Sequence, residues 1–331
     1  MELLNIYPEH SKILFIGAYP PPLGGVSVHL KRLVGELESN GRKVHVFDPS
    51  KRYGSKAHML LALIKLLFNG SYDIIHIHYF SFKRAFVLVP LRYIRGFKIY
   101  FTDHNQKLFT MSNAKRLFFS KFIRYVDCLV VVNNHILDEY IKSKVKLPKR
   151  ILIKNAFIPP PLNEEASILK TYTRETNEFL ETHHPLLAGN AFKIIFHNKI
   201  DLYGLDLCVQ LTYKLKYLYP SVGFIFAIAD HETNAAYINE IQKMIGQLNL
   251  TSNFHFMTGQ KELWPLFKKI NLFIRPTFTD GDAVSIREAL SFNCSVIASD
   301  VVQRPKSTVT FKNRDFNDLY RQASSMLKSI S

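Results

Sequence analysis

Residues 271–300, NLFIRPTFTDGDAVSIREALSFNCSVIASD, constrain the fold more than any other part of the chain. An apolar strand, a polar turn, an amphipathic helix and a second apolar strand follow one another directly, which predicts a βαβ unit. Asp280 lies in the turn, and Glu288 follows eight residues later. If the helix begins near Ala283, Glu288 lies in its second turn, and both carboxylates can face the same cavity.

The same turn predicts an anion site. Residues 281–285 lie where the helix begins, and a helix start leaves N–H groups without intrahelical partners and carries a partial positive charge. Such an end favours a phosphate. Two carboxylates repel a phosphate, so we expect Asp280 and Glu288 to accept hydrogen bonds from hydroxyl groups. Phosphate and polyol recognition side by side predict a sugar nucleotide as the ligand.

Strands and helices alternate through the whole chain, and its 331 residues favour two domains. An apolar strand at residues 12–19 leads through the loop PPPLGG into a helix that Gly41 is placed to end. Gly24 and Gly25, at the entrance of this helix, either let a ligand approach the backbone closely or only form the turn. The pattern G-x-G-x-x-G is absent, which argues against a nicotinamide dehydrogenase with Asp48 as its ribose ligand.

Two later apolar segments, residues 72–80 and 97–104, predict further parallel strands. His104 ends the second of them. Ligands gather outside the carboxyl ends of strands in open α/β sheets, so His104 is a candidate site residue. His76 and His78 alternate with isoleucines inside their strand, and we expect them to be hydrogen-bonded core residues.

The predicted fold class is therefore α/β, with two Rossmann-like, doubly wound domains that face a cleft. We expect an N-terminal domain over residues 1–158 and a linker or helical segment over residues 159–191. The C-terminal domain is expected over residues 192–314, with 192–200 as its first strand, and a last helix over residues 315–331.

The formal charge of +16 is concentrated in one half, because residues 1–150 hold 24 Lys and Arg against 10 Asp and Glu. The basic residues there are interleaved with bulky apolar ones, above all in residues 80–98 and 113–125. This mixture favours the surface of an anionic membrane as a partner. A basic face that is merely solvated is the alternative, and nucleic acid is the less favoured partner.

Nothing in the sequence predicts export or a membrane span. The apolar runs at residues 58–68 and 85–94 are short and are interrupted by basic residues, and the N-terminus lacks the pattern of a signal peptide. The cysteines lack the spacing of a zinc site or a disulfide framework. They are Cys128, Cys208 and Cys294. We therefore expect a cytoplasmic protein that is peripheral at the inner face of the cell membrane.

The segment from Asp280 to Glu288 resembles the acid-x7-Glu signature of the retaining glycosyltransferases of family four, which have the two-domain GT-B fold. Further pieces follow in that family's order along most of the chain: the glycine pair after the first strand, the strand ending in TDH, KNAFIPP, residues 196–206, and RPT. The resemblance implies sugar transfer with retention of configuration. It also implies a nucleoside diphosphate sugar as donor, with uridine favoured, and neither a cofactor nor a metal ion.

In the second domain the resemblance implies the donor site. The diphosphate would meet a lysine and the amides of the helix start, namely Lys199, Gly281, Ala283 and Val284. Asp280 would orient the hydroxyls of the donor sugar, and Glu288 would take the ribose hydroxyls.

In the first domain the resemblance implies contacts to the phosphates and to the acceptor. Gly24 and Gly25 would approach both, and His104 would hydrogen-bond the transferred sugar or a phosphate. Because the basic apolar segments at residues 80–98 and 113–125 belong to this domain, we expect the acceptor to be a lipid-linked glycan of surface polysaccharide assembly.

The chain departs from the family pattern at several positions. Asp280 replaces the more usual Glu, and Tyr203 stands where a second basic residue usually meets the diphosphate. Arg275 or Arg304 is the candidate to supply that missing cation. Asn293 replaces a glycine after the helix, and Asn tolerates the left-handed conformation needed there.

Three alternatives remain open. Asp280, Gly281 and Asp282 resemble the metal-binding D-x-D of the other major glycosyltransferase fold, but their position at a helix start argues against a metal, and we expect Asp282 to point outward. A sugar-nucleotide epimerase shares the fold. A non-catalytic relative that only binds nucleotide or glycan would explain the departures at Asp280 and Tyr203.

Overall fold

The computed structural model describes residues 4–104, 112–280 and 283–330. Its chain forms two compact units, Met1–Ile158 and Pro159–Ser331. Each unit is built on a parallel six-stranded sheet with helices on its faces. The predicted α/β class with two Rossmann-like units is confirmed.

The first unit holds a sheet with the strand order β2-β1-β3-β4-β5-β6, and every neighbouring pair is parallel. Its strands are β1 (Ile13–Ile16), β2 (Val44–Phe47), β3 (Ile74–Ile77), β4 (Lys98–Asp103), β5 (Cys128–Val131) and β6 (Arg150–Ile153). All four residues of β1, β3 and β5 are buried, as expected for strands covered on both faces.

Helices follow most of these strands. They are α1 (Gly25–Ser39), α2 (Lys56–Asn69), α3 (Phe82–Ala85), α4 (Leu88–Arg95), α5 (Asn113–Phe122) and α6 (Asn134–Lys142), with single 3-10 turns at Leu4–Ile6 and Ile123–Tyr125. Helix α1 ends as predicted, because Asn40 caps it and Gly41 takes the left-handed conformation with φ of 72°.

His76 is one of the two histidines, at positions 76 and 78, that the sequence predicts as hydrogen-bonded core residues. It is 1% exposed. Its Nδ1 lies 2.7 Å from the hydroxyl oxygen of Tyr7, and its Nε2 lies 2.8 Å from Oγ1 of Thr102. Both ring nitrogens therefore have partners inside the core.

The second unit holds a sheet with the order β11-β10-β7-β12-β13-β14. Its strands are β7 (Leu186–Lys193), β10 (Gly223–Asp230), β11 (Phe254–Thr258), β12 (Leu272–Arg275), β13 (Ser295–Ser299) and β14 (Thr308–Phe311), and a small antiparallel hairpin adds β8 (Phe196–His197) and β9 (Ile200–Asp201). Counted within the unit, the main sheet has the order 3-2-1-4-5-6 of a dinucleotide-binding Rossmann sheet.

The helices of this unit cover both faces of its sheet. They are α7 (Glu165–Leu169), α8 (Arg174–Thr182), α9 (Leu205–Lys216), α10 (Ala235–Gln247), α11 (Trp264–Phe267), α12 (Val284–Ser291) and α13 (Phe316–Ile330), with a 3-10 turn at Leu162–Glu164. Successive strand residues alternate between two apolar clusters. Phe224 and Phe226 pack with α9, whereas Ile225 and Ala227 pack with Trp264 on the other face.

The start of the second unit differs from the prediction. Its first strand is Leu186–Lys193 and not residues 192–200, so the expected linker 159–191 contains two helices and most of a central strand. The strand predicted over residues 192–200 is broken, because Asn198 and Lys199 have positive φ values of 52° and 65° and form the turn between β8 and β9.

The three cysteines are free and buried. Burial raises the pKa of the Cys128 thiol to about 11 and that of Cys294 to about 12. Among the described residues, none of the helices combines the length and the apolar character that crossing a membrane requires.

Candidate functional site

The strand order of the second unit fixes where a ligand would bind. The chain runs outward from β7 in one direction through β10 and β11 and in the other through β12, so the order reverses between β7 and β12. In open α/β sheets, ligands bind outside the carboxyl ends of the strands at such a switch point. Arg275, the last residue of β12, stands at this position.

Asp280 is held there by two guanidinium groups. Nε and Nη2 of Arg275 lie 3.2 Å from Oδ2 and Oδ1 of Asp280, and Nη1 of Arg304 lies 2.7 Å from Oδ2. The side chains are 12%, 8% and 3% exposed for Arg275, Asp280 and Arg304. Three buried charges thus form one cluster, in which two cations face one anion.

The cluster is tied to the neighbouring strand end. Oγ1 of Thr277 donates to Asp280 Oδ2 at 3.1 Å, and the hydroxyl of Ser299 donates to the Thr277 carbonyl at 2.6 Å. Arg304 donates from Nε to the Ser299 carbonyl at 3.0 Å. Burial alone would raise the pKa of Asp280, but the charges and hydrogen bonds of Arg275 and Arg304 outweigh it and hold this pKa below the usual value. Asp280 is therefore ionised.

Tyr203 takes the place where the family pattern has a second cation, and Arg275 lies on it. The guanidinium carbon of Arg275 is 5.3 Å from the centroid of the Tyr203 ring, a cation–π contact. Nη1 of Arg275 also donates to the carbonyl and to Oδ1 of Asn190 on β7, both at 3.2 Å. Position 203 thus holds no cation, but the guanidinium group of Arg275 lies against its ring.

Helix α12 begins where the sequence predicts. Ala283 is its N-cap and Val284 its first helical residue, whereas Gly281 and Asp282 lie outside the described residues. Glu288 lies in the second turn and is 7% exposed. Asn293 follows the helix with φ of 58°, which confirms that it serves in place of a glycine.

Lys199 sits in the turn of the hairpin formed by β8 and β9, and it is exposed. The hairpin packs on the loop that leads to Asp280. The rings of His197 and Phe278 have centroids 5.5 Å apart, and the Phe278 N–H donates to the Leu202 carbonyl at 2.8 Å. This contact brings the element that carries Lys199 beside the charge cluster.

In the first unit the strand order reverses between β1 and β3. Gly24 follows β1 as the N-cap of α1 and Gly25 is the first residue of that helix; the backbone of Gly24 is extended and unstrained, with φ of −127°. A Cβ at Gly25 would meet no atom within 4 Å, and one at Gly24 would come no closer than 3.8 Å to Ser27 Oγ. The fold itself therefore does not require glycine at either position, and space in front of this backbone is open.

His104 follows β4 and lies in a group of three histidines, one of which, His29, is on α1. Its Nε2 is 3.0 Å from Nδ1 of His78, and its ring centroid is 4.9 Å from that of His29 on α1. Burial lowers the pKa of His29 to about 4 and holds the pKa values of His78 and His104 well below the usual range. All three rings are neutral at neutral pH.

The predicted site residues thus fall into two groups. Asp280, Ala283, Val284 and Glu288 lie in one segment of the second unit, with the hairpin of Lys199 packed nearby. Gly24, Gly25 and His104 lie in the first unit.

His29 is absent from the residues that the sequence predicts for the site. Its signal was present, because His29 precedes Leu33 and Leu37 by one and two helical turns on the buried stripe of α1.

No family model matches the chain. It is 24% identical over 194 residues to an uncharacterised glycosyltransferase of Methanocaldococcus jannaschii, a match that covers 57% of this chain and 44% of that protein. The matched part thus spans less than half of the relative's length.

The two Rossmann-like units define the GT-B fold class, and solved glycosyltransferase structures share it. HepE of Anabaena, crystallised with UDP-glucose, aligns with a TM-score of 0.69 at 13% identity over 97% of this chain and 91% of its own. Sucrose-phosphate synthase of Thermosynechococcus elongatus aligns with a TM-score of 0.66 at 14% identity over 96% and 90%. The catalytic domain of starch synthase IV from Arabidopsis thaliana, bound to ADP and acarbose, aligns with a TM-score of 0.65 at 13% identity over 96% and 92%. The GT-B fold implied by the resemblance is confirmed.

Proposed function

We propose that the chain is a retaining glycosyltransferase that moves a sugar from a nucleoside diphosphate sugar to a glycan acceptor. The observation that carries this proposal is the charge cluster of Arg275, Asp280 and Arg304, placed at the switch point of the second unit directly before α12. Two cations and a helix start are suited to a diphosphate.

The donor would bind the second unit. Its diphosphate would meet Lys199 and the amides of Ala283 and Val284, together with that of Gly281. Glu288, in the second turn of α12, would accept hydrogen bonds from the ribose hydroxyls.

Asp280 would contact the donor sugar while it holds Arg275 and Arg304 in place. This double role would explain why a carboxylate lies next to the proposed diphosphate site. Asp280 fixes both guanidinium groups, and two cations with one anion leave the cluster a net positive charge. Arg275 is the better candidate for the second phosphate cation, because its side chain is 12% exposed, whereas that of Arg304 is 3% exposed.

A uridine donor is favoured. HepE, which shares the fold, was crystallised with UDP and with UDP-glucose. Starch synthase IV was crystallised with ADP, so the fold alone leaves the base open.

Catalysis would come from positioning and from stabilising charge as the nucleoside diphosphate departs. The cationic groups and amides of the second unit would take up that charge, without a metal ion. His104 of the first unit would hydrogen-bond the transferred sugar, and the open backbone at Gly24 and Gly25 would admit the phosphates and the acceptor.

The acceptor would be a lipid-linked glycan at the inner face of the cell membrane. The first unit carries what we call the basic apolar face: exposed apolar side chains among cations on α4, α5 and the turn after α5. Its members are Tyr93, Ile94, Arg95, Lys115, Arg116, Leu117, Phe118, Lys121, Arg124 and Tyr125. Phe86, which precedes α4, contacts the other two elements, because its ring packs against Phe118 on α5 and Tyr125 in the turn after α5. Such a mixture suits headgroups and the upper acyl region of an anionic membrane.

Incubation with a panel of nucleoside diphosphate sugars and a lipid-linked glycan extract tests the proposal, with analysis of products by mass and of anomeric configuration by NMR. A new glycoside with the configuration of the donor supports it. Interconversion of donors without acceptor would instead identify an epimerase. Donor binding without turnover across the panel would identify a binding protein, for which the engagement of Asp280 by two arginines is the structural argument.

A further inference from the structure

The histidine cluster of the first unit is larger than the proposed transfer reaction uses. His29 is on α1, His78 follows β3, and His104 follows β4. These elements meet at the carboxyl edge of the sheet, where the strand order reverses between β1 and β3. One ring nitrogen from each histidine lies within 4.8 Å of one from each of the others.

His29 is oriented as a ligand. Its Nδ1 is 2.6 Å from the carbonyl oxygen of Ala156. A carbonyl only accepts, so Nδ1 carries the proton, and Nε2 of the neutral ring keeps its lone pair. A hydrogen bond from the second ring nitrogen to a carbonyl is the usual way in which proteins orient a metal-binding histidine.

His78 differs from its neighbour His76 in how its nitrogens are used. Both nitrogens of His76 have protein partners. His78 is 5% exposed, its Nδ1 pairs with His104 Nε2, and its Nε2 has no hydrogen-bond partner within the described part of the chain. Because His78 Nδ1 lies 3.0 Å from His104 Nε2, Nδ1 is the nitrogen that a metal shared with His104 would take, and the proton of the neutral His78 ring would then lie on Nε2.

We propose that His29, His78 and His104 bind a zinc ion. Three imidazoles with an open fourth position form an established class of zinc site, and neutral nitrogen ligands favour zinc, copper or nickel over magnesium or calcium. With Zn–N distances of about 2.0–2.1 Å, tetrahedral ligand nitrogens lie about 3.3 Å apart. The 3.0 Å between His78 and His104 is already near this value, and the cluster closes around zinc through movement of the His29 ring.

Zinc would regulate the reaction, a consequence that rests on the proposed function. His104 cannot bind zinc and hydrogen-bond the transferred sugar through the same nitrogen. Bound zinc would therefore slow transfer, and a chelator would restore it.

Zinc titration against a chromogenic chelator tests the site without reference to transfer. The full chain, first stripped of metal, is compared with the double variant His29→Gln, His104→Gln. The matched control is His135→Gln, which removes an exposed histidine whose Nε2 lies 3.7 Å from Glu139 on α6. We expect one tightly bound zinc per chain in the wild type and in the control, and loss of this zinc in the double variant. An unchanged stoichiometry in the double variant, or no tight zinc in the wild type, would overturn the proposal.

X-ray absorption of the zinc-loaded wild type keeps the test decisive if the double variant does not fold. Three imidazole ligands at about 2.0 Å are expected. One or two imidazoles, as at the surface pair of His135 and Glu139, would mean adventitious binding and would refute the site.

Discussion

Asp280 and Arg304 form an ion pair that is almost closed to solvent. Arg304 Nη1 lies 2.7 Å from Asp280 Oδ2, and the side chain of Asp280 is 8% exposed and that of Arg304 is 3% exposed. The two residues are separated by 24 positions, and Arg304 is fixed by Ser299 at the end of β13. The carboxylate proposed to contact the donor sugar is therefore also part of the framework of the second unit.

We expect Asp280→Ala to lower the free energy of unfolding by about 3–5 kcal/mol, because it leaves two buried guanidinium groups without their anion. Urea unfolding measures the change. Glu178→Ala is the matched control, since Glu178 pairs with Arg174 at the surface, where such a pair contributes about 0–1 kcal/mol. A loss of transfer in Asp280→Ala can be assigned to the site only after folding is shown. Equal small losses in both variants would contradict the framework role.

Glu288→Gln should weaken donor binding and leave the fold intact. The amide has the size of the carboxylate but loses the charge, and a hydrogen bond to a charged group contributes about 1.5–3 kcal/mol. We therefore expect KM for the donor to rise roughly 10- to 150-fold. Glu240→Gln, on the exposed side of α10, is the control. If steady-state kinetics give the same KM for all three proteins, Glu288 does not bind the ribose.

Gly25→Ala should separate function from stability. The added methyl meets no protein atom within 4 Å, so the free energy of unfolding should stay constant or rise by up to about 1 kcal/mol. Transfer should fall roughly tenfold to a hundredfold, as when a substrate is displaced by about an ångström.

Gly204→Ala is the contrasting variant. Gly204 has φ of 66°, and its Cβ would lie 2.5 Å from the Pro276 carbonyl oxygen, so thermal unfolding should show destabilisation of at least about 1–2 kcal/mol. Full activity in Gly25→Ala would remove the argument that a ligand approaches this backbone.

The second unit should lose stability as the pH falls below about 6.5. Burial lowers the pKa of His255, although the charge of Glu175 opposes this shift, and Nε2 of His255 lies 2.8 Å from Thr176 Oγ1. The unfolded chain takes up a proton that the folded chain resists, so the free energy of unfolding is highest above the unfolded pKa and decreases on acidification. His255→Asn should flatten this dependence in urea titrations between pH 7 and pH 5. The exposed His184→Asn is the control, and parallel curves for all three proteins would refute the assignment.

The basic apolar face should bind anionic vesicles. A cation near such a surface contributes about 1 kcal/mol, so Arg116→Gln with Arg124→Gln should weaken binding roughly fivefold per residue. Vesicle flotation measures this. Lys214→Gln with Lys243→Gln removes two exposed cations of the second unit and should have no effect. Equal binding to neutral and anionic vesicles would contradict a membrane role.

Local signals made the segment around α12 predictable. The start of the helix, the place of Glu288 in its second turn and the left-handed Asn293 all follow from neighbouring residues. The pairing of Asp280 with Arg304 does not, because it depends on how the chain after β13 is placed beside β12.

Strand β7 was missed for a related reason. Its sequence, LLAGNAFK, contains Gly189 and Asn190, which weaken a strand prediction. In the sheet, a Cβ at Gly189 would lie 3.2 Å from the Ile274 carbonyl and 3.4 Å from the Phe224 ring. Only the packed neighbours show why a small residue belongs there.

The buried cysteines make each unit report on its own opening. Cys128 belongs to the first unit, and Cys208 and Cys294 belong to the second. Thiols that are shielded and protonated react with alkylating reagents only when their surroundings open. The rate at which each of these cysteines is alkylated therefore measures local unfolding of its own unit, without any introduced label.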